Sequence, residues 1–321
     1  MNKYIQDWLE IIENMNNDNT YKLAWGRAII EIAMSLKIVE ENNLIKFEMI
    51  AYKMIKYYWN QIFFFDLKQS ANSKKPPVLV QQVELLINQY KFLTDSSVPI
   101  WFDKAEAILK QNNDFYYRII NKSARKLKDD VSWRFMNVNK KTLNIYHLDK
   151  ENLYIVFNKQ QIMHIQEYHF ILSQLLNYKW AQLLERYNNA PRIASKVKGI
   201  SSNTLKRNNL SKYKKLLLES CNYNPIDFYT GGESLQENNI SLDHVIPWSF
   251  MYSDDIWNLV FTSKSSNSSK SNNIPKEEII KRLKERNQLL LNTITDPKYK
   301  NELEIAIQNN YVDKFYLAIK L

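Results

Sequence analysis

Cysteine is almost missing from this chain. Cys221 is the single one in 321 residues, which excludes an internal disulfide framework and a metal site built from several thiolates. Glycine is nearly as scarce. There are four, and two of them are adjacent at Gly231-Gly232, so a tight turn is expected there. No apolar run approaches the roughly 18 residues that a membrane-crossing helix needs. Phe63-Phe64-Phe65 is short and has polar flanks, and the opening MNKYIQDWLEIIENMNND is too polar and acidic for a secretory leader. These absences lead us to expect a cytoplasmic protein with no membrane partner. Acidic residues are also in deficit, 34 against 44 Lys and Arg, leaving a net charge of +10. That balance suits a polyanionic partner, nucleic acid before membrane.

What is present is a folding chain, with 45% hydrophobic and 13% aromatic residues. Through about residue 130 the apolar spacing is helical: Tyr4, Trp8, Leu9, Ile11 and Ile12, then Leu23, Ala24, Ala28, Ile29 and Ile32 behind Thr20 as an N-cap. An amphipathic run from Phe47 to Phe65 and another from Val78 to Leu93 flank the loop SANSKKPP. From Val131 to Phe157, SWRFMNV and ENLYIVF read as two or three short strands. A long helix follows over 162–187, ended by Asn188-Asn189-Ala190-Pro191. Trp25, Trp59, Trp101 and Trp133 are expected in the core, and His147, His164 and His169 in structural or surface positions.

Between Arg192 and Leu216 the chain carries Arg192, Lys196, Lys198, Lys206, Arg207, Lys212, Lys214 and Lys215 with no acidic residue. Such a run is either a solvated face or a segment that tracks phosphates, since Lys and Arg contacts to the backbone supply most nonspecific affinity. Tyr223, Phe228 and Tyr229 just beyond could stack on bases or pack around a hairpin.

The chemistry is concentrated further on, in LDHVIPWSFMYSDDIWNLVFTSKSSNSSKSNNIP. Asp243-His244 ends an apolar run at Pro247, Asn258 lies 14 positions after the histidine, and Asn267 lies 9 beyond that. Carboxylate and amide oxygens suit a hard divalent cation, and an imidazole titrates near neutrality. The combination fits phosphodiester cleavage with one metal ion.

Asp243-His244-Val-Ile-Pro247, Asn258-Leu-Val260 and Asn267-Ser-Ser-Lys270, led in by DFYTGGESL, resemble the HNH endonuclease family. This is the ββα-metal finger, in the variant with asparagine in place of the last histidine. The lead-in also resembles the turn before this motif in the HNH domain of CRISPR effector nucleases, and the resemblance spans Ser220 to Lys276. It implies that Asp243 and Asn267 hold one Mg²⁺ (or Mn²⁺), that His244 is the general base, and that Asn258 braces the loop. Lys270 would lie near the phosphate. Asn272 is an alternative ligand, and Asn267 could instead be a helix N-cap. Many relatives carry a zinc knuckle of four cysteines; the corresponding positions here are Asp227, Thr230, Ser263 and Ser266. No structural zinc is expected, and aromatic packing by Phe228, Tyr229, Trp248, Trp257 and Phe261 must hold the motif together.

The expected fold is α+β and mostly helical. The expected organisation is a helical region over 1–130, short strands and a long helix over 131–190, and a basic linker over 191–215. An HNH core over 216–276 and C-terminal helices over 277–321 complete it. The expected function is a metal-dependent DNA endonuclease of bacterial restriction or phage defence. The alternatives are an inactive nucleic-acid-binding protein and an RNA-cleaving nuclease. One such site attacks one strand, so double-strand cleavage would need a dimer or a second event; the expected protein partners are a second copy, as a homodimer, or a partner protein of a defence system.

Overall fold

The computed structural model describes residues 2–37, 41–72, 75–199, 209–232, 234–270 and 273–320. The chain divides into two compact units, Met1–Asn188 with Ile193–Asn203, and Asn189–Arg192 with Thr204–Leu321. The fold is α+β and mostly helical. No helix among the described residues is long and apolar enough to cross a membrane.

The first unit contains α1 (Lys3–Asn14), α2 (Tyr21–Ser35), β1 (Asn42–Lys46), α3 (Phe47–Trp59), α4 (Val78–Thr94), α5 (Phe102–Leu109) and α6 (Asn113–Asp129). After these come α7 (Val131–Arg134), β2 (Asn137–Val138), β3 (Lys141–Thr142), β4 (His147–Asp149), β5 (Tyr154–Asn158), α8 (Lys159–Glu185) and α9 (Ile193–Gly199). Apolar stripes turn inward to bury Trp8, Trp25, Trp59 and Trp180 completely, while Trp101 and Trp133 are half-buried. Gly26 lets α2 pass close to Phe135: an added Cβ would stand 2.9 Å from the Phe135 ring.

Several local expectations are corrected. Thr20 stands before α2 but makes no capping bond; its hydroxyl is used inside the unit, 2.9 Å from Tyr58 Oη and 2.9 Å from Gln69 Oε1. SWRF is helical rather than extended, because α7 follows α6 with Trp133 Nε1 donating back to Asp129 O at 3.0 Å. Tyr154–Asn158 pairs with β4, inside the expected strand region, and on its other edge with β1, antiparallel from Asn42↔Asn158 to Lys46↔Tyr154, in a sheet ordered β1-β5-β4. The long helix starts earlier than its apolar stripe, since Asn158 and Gln161 form a capping box.

The second unit contains α10 (Ser211–Ser220), β6 (Ile240–His244), α11 (Trp248–Met251), β7 (Leu259–Ser263) and α12 (Lys264–Lys270). It ends with α13 (Glu277–Thr293), α14 (Pro297–Gln308) and α15 (Tyr311–Lys320). β6 and β7 pair antiparallel, with His244 opposite Leu259 and Asp243 opposite Val260. Every residue of β7 is buried. Trp257, Leu259, Leu283, Leu290 and Leu303 share one core, so the C-terminal helices form the hydrophobic backing of the hairpin. Arg286 of α13 donates to the carbonyls of Trp257 and Leu259 at 3.2 and 2.7 Å. Burial pushes its pKa down to about 9.

Candidate active site

The site is built where β6 ends. Gly231, with φ +62°, follows the turn through Phe228, Tyr229 and Thr230, and an antiparallel bridge pairs Ile226 with Ser234 across it. Asp227, at the zinc-knuckle position, is nearly buried at 4% exposure. Its carboxylate accepts from Ser263 N at 2.8 Å, Tyr229 N at 2.9 Å and Thr230 N at 3.3 Å. Burial pushes this carboxyl's pKa up, but the bonds from Ser263, Tyr229 and Thr230 outweigh it and hold the pKa below the ordinary range. Ser263 Oγ in turn donates to Ser266 Oγ at 2.8 Å and accepts from Ser266 N at 3.1 Å, capping α12. The four knuckle positions are thus joined by hydrogen bonds centred on one carboxylate. Aromatic packing alone does not hold the motif.

Asn258 is fully buried. Its side chain accepts from Ile246 N at 2.8 Å and donates to Ile246 O at 2.9 Å, while its carbonyl accepts from Val245 N at 2.9 Å. Three bonds therefore fix the two residues that follow His244. Side chains alternate along a strand, and Asp243 and His244 make contacts of different kinds. Asp243 Oδ2 accepts from Lys270 Nζ at 2.7 Å and from Tyr229 Oη at 2.5 Å. The same Lys270 ammonium also donates to the His244 carbonyl. Burial first, and then the Asp243 charge, pushes the Tyr229 phenol far above its usual pKa, so it remains a donor. His244 is buried, its side chain 8% exposed, with Nε2 2.9 Å from Asp254 Oδ1.

Asn267 lies within α12, three residues after its start, and so is not its N-cap. It donates from Nδ2 to Ser241 Oγ at 2.9 Å. Ser241 and Asp243, two apart on β6, therefore meet Asn267 and Lys270, three apart on α12, on one face. Sequence reasoning missed Tyr229 as a partner of Asp243 and Asp254 as a partner of His244. The sequence carried a signal for Asp254, an acidic pair in a polar loop ten residues after the histidine.

The basic segment does not behave as one surface. Lys196 is fully buried, its ammonium 5.7 Å over the Phe65 ring. A phosphate-tracking role for it is corrected, because Ile193, Lys196 and Val197 form the inward stripe of α9. Arg27 Nη1 pins that stripe by donating to Val197 O at 2.8 Å. Lys198 is exposed in the first unit. In the second, Arg192 lies 3.5 Å from Asp255, Lys212 lies over the Tyr299 ring, and Lys215 is 4.0 Å from Glu219. Lys214 is half-buried. Lys206, Arg207 and Asn272 lie outside the described residues.

A family model for HNH endonuclease matches residues 227–276, the stretch from the Asp227 hub through α12. A second, described as a domain of unknown function (DUF8808), matches residues 8–200, more than half of the chain. No solved structure matches the chain. HNH domains are nuclease domains that act on nucleic acid and generally use divalent metal ions. The chain therefore belongs to the DUF8808 family and joins that domain to a C-terminal domain of the HNH endonuclease family.

Proposed function

We propose that the protein is a metal-dependent endonuclease that hydrolyses DNA phosphodiesters, with His244 as general base and one Mg²⁺ or Mn²⁺ held by Asp243 and Asn267. The observation that supports this reading is the seating of α12 on β6, which brings Asn267 and Lys270 to the face of β6 that carries Ser241 and Asp243, next in sequence to His244. The donor set fits a hard cation: a carboxylate and an amide oxygen suffice for Mg²⁺, which keeps several waters. The position also already accepts positive charge, since the Lys270 ammonium bonds both Asp243 and the His244 carbonyl. When bound, the metal would stabilise charge on the scissile phosphate and the leaving oxygen.

The chain's own residues set up the proton transfer. In the tautomer that donates from Nε2 to Asp254, the lone pair would sit on Nδ1, and Nδ1 would be the nitrogen that takes a proton from water. A base so placed contributes roughly 10²–10⁴-fold in rate. Asn258 holds the loop that aims the ring, and Tyr229 holds the Asp243 carboxylate. With metal bound, Lys270 would turn from Asp243 toward the phosphate. A role in bacterial restriction or phage defence rests on analogy with nucleases that place a selection module before an HNH domain.

The Lys270–Asp243 pair favours one rival reading, a core that binds nucleic acid without cutting it. Nicking of supercoiled plasmid with Mg²⁺ or Mn²⁺ against EDTA separates the two, with matched DNA and RNA substrates run beside it. Cutting by wild type and loss in His244→Ala is expected. Equal cutting by both would remove the base, no cutting of either substrate would favour the binding core, and cutting of RNA alone would make the enzyme a ribonuclease.

A further inference from the structure

Arg282 of α13 reaches the turn that precedes β6. Its Nη1 donates to the carbonyls of Phe228 and Tyr229, each at 2.9 Å, and the guanidinium lies 5.9 Å over the Phe228 ring. The described residues give it no carboxylate partner. Arg286, four positions on, donates in the same manner to the carbonyls of Trp257 and Leu259. Residues four apart share a helix face, so one face of α13 grips both the turn and the entry to β7. The helix is itself anchored, with Leu283 and Leu290 in the core.

The residue held most tightly by this grip is Tyr229. Its backbone N–H donates to Asp227 Oδ1 at 2.9 Å and its carbonyl accepts from Arg282, so both polar groups of its backbone are fixed. Its side chain then reaches Asp243, Oη to Oδ2 at 2.5 Å. Lys270 takes the same oxygen, while Asp243 Oδ1 accepts no hydrogen bond among the described residues. One carboxylate oxygen is thus held by the protein and the other is left for a cation, the usual office of a residue behind a metal ligand. A phenol orients a carboxylate only as firmly as its own backbone is held. Without Arg282 the Tyr229 carbonyl would be left to water, and the residue would be tied through its N–H alone. Arginine suits the position because its planar head serves two carbonyls while stacking on Phe228.

We propose that Arg282 is a positioning residue for the metal ligand Asp243, acting through Tyr229. The inference rests on the reading of Asp243 as a ligand.

Mn²⁺ binding to the full chain without nucleic acid, read from the paramagnetic resonance signal of free Mn²⁺, tests it. Wild type should bind and Asp243→Ala should not. Tyr229→Phe should weaken binding about tenfold, and Arg282→Gln about threefold, the smaller loss reflecting an exposed guanidinium. In the Tyr229→Phe background Arg282→Gln should add no further loss, since the path through the phenol is already cut. Lys281→Gln, an exposed neighbour, should match wild type. Should Arg282→Gln fail to fold, Arg282→Lys takes its place, with a smaller loss that again vanishes in the Tyr229→Phe background. Thermal unfolding is followed alongside, because a purely structural role would lower the melting temperature and leave the affinity unchanged. Equal affinity of wild type and Arg282→Gln, or losses that simply add in the double variant, would overturn the role of Arg282 and leave Asp243 as the ligand. Binding that survives Asp243→Ala, or no binding by wild type, would remove the metal reading and this inference with it.

Discussion

Replacing Lys196 with methionine isolates the cost of a buried amine. Burial pushes the Lys196 pKa from 10.5 down to about 7, with the Asp66 charge opposing the fall. Each tenfold change in proton affinity is worth about 1.4 kcal/mol, so the gap corresponds to roughly 4–5 kcal/mol. Between those two pH values the unfolded chain holds a proton that the folded chain has released, so stability rises with pH. Below about 7 both states are protonated and the folded protein bears the full cost; above about 10.5 neither is, and the cost is gone. Methionine keeps the length and removes the charge. The variant should therefore be more stable than wild type by about 2–4 kcal/mol near pH 6, the part of the cost left once the site relaxes. The difference should shrink toward zero near pH 10. Urea unfolding followed by tryptophan fluorescence across this range measures it, since the first unit contains Trp8, Trp25, Trp59 and Trp180 in its core. A difference that does not change with pH, or a variant weaker than wild type at pH 6, would refute the reasoning.

Asp227→Asn should cost the second unit about 1–3 kcal/mol, because one oxygen that accepts backbone bonds becomes a donor. Its depressed pKa means that this contribution is complete above about pH 4 and is lost as pH falls through the folded value, so acid titration should merge wild type and variant. Asp254→Asn should lower kcat by about 10–100-fold with KM unchanged, and a shifted pH–rate profile would distinguish orientation of His244 from simple loss of packing. Gly26→Ala should destabilise the first unit by about 1–3 kcal/mol, since the new methyl meets the Phe135 ring at 2.9 Å. Thermal unfolding checks it.

The hairpin and its helix were legible because each boundary has a local cause. An apolar run stops at Pro247, β7 opens on Leu259-Val260-Phe261, and α12 opens on the serine cap Ser263. The helical character of residues 1–130 was legible for the same reason, a 3.6-residue period. β1 was not, because NNLIK offers only two buried residues and gains its strand state from pairing with β5. Val131–Arg134 misled because aromatic and β-branched residues favour strands, whereas tertiary context kept the chain helical. Lys196 was hidden by charge: eight cations in a row read as one polar face, while the period of α9 turns this one inward. The partnerships of His244 with Asp254 and of Asp243 with Tyr229 depend on how loops return, which spacing alone does not encode.

Where many HNH domains tie their hairpin with four thiolates, this chain uses a buried carboxylate ringed by amide and hydroxyl donors. Such a tie has no sulfur to be oxidised and competes for no transition metal. On the proposed reading, a chelator would remove the reactive ion and leave the Asp227 hydrogen bonds in place.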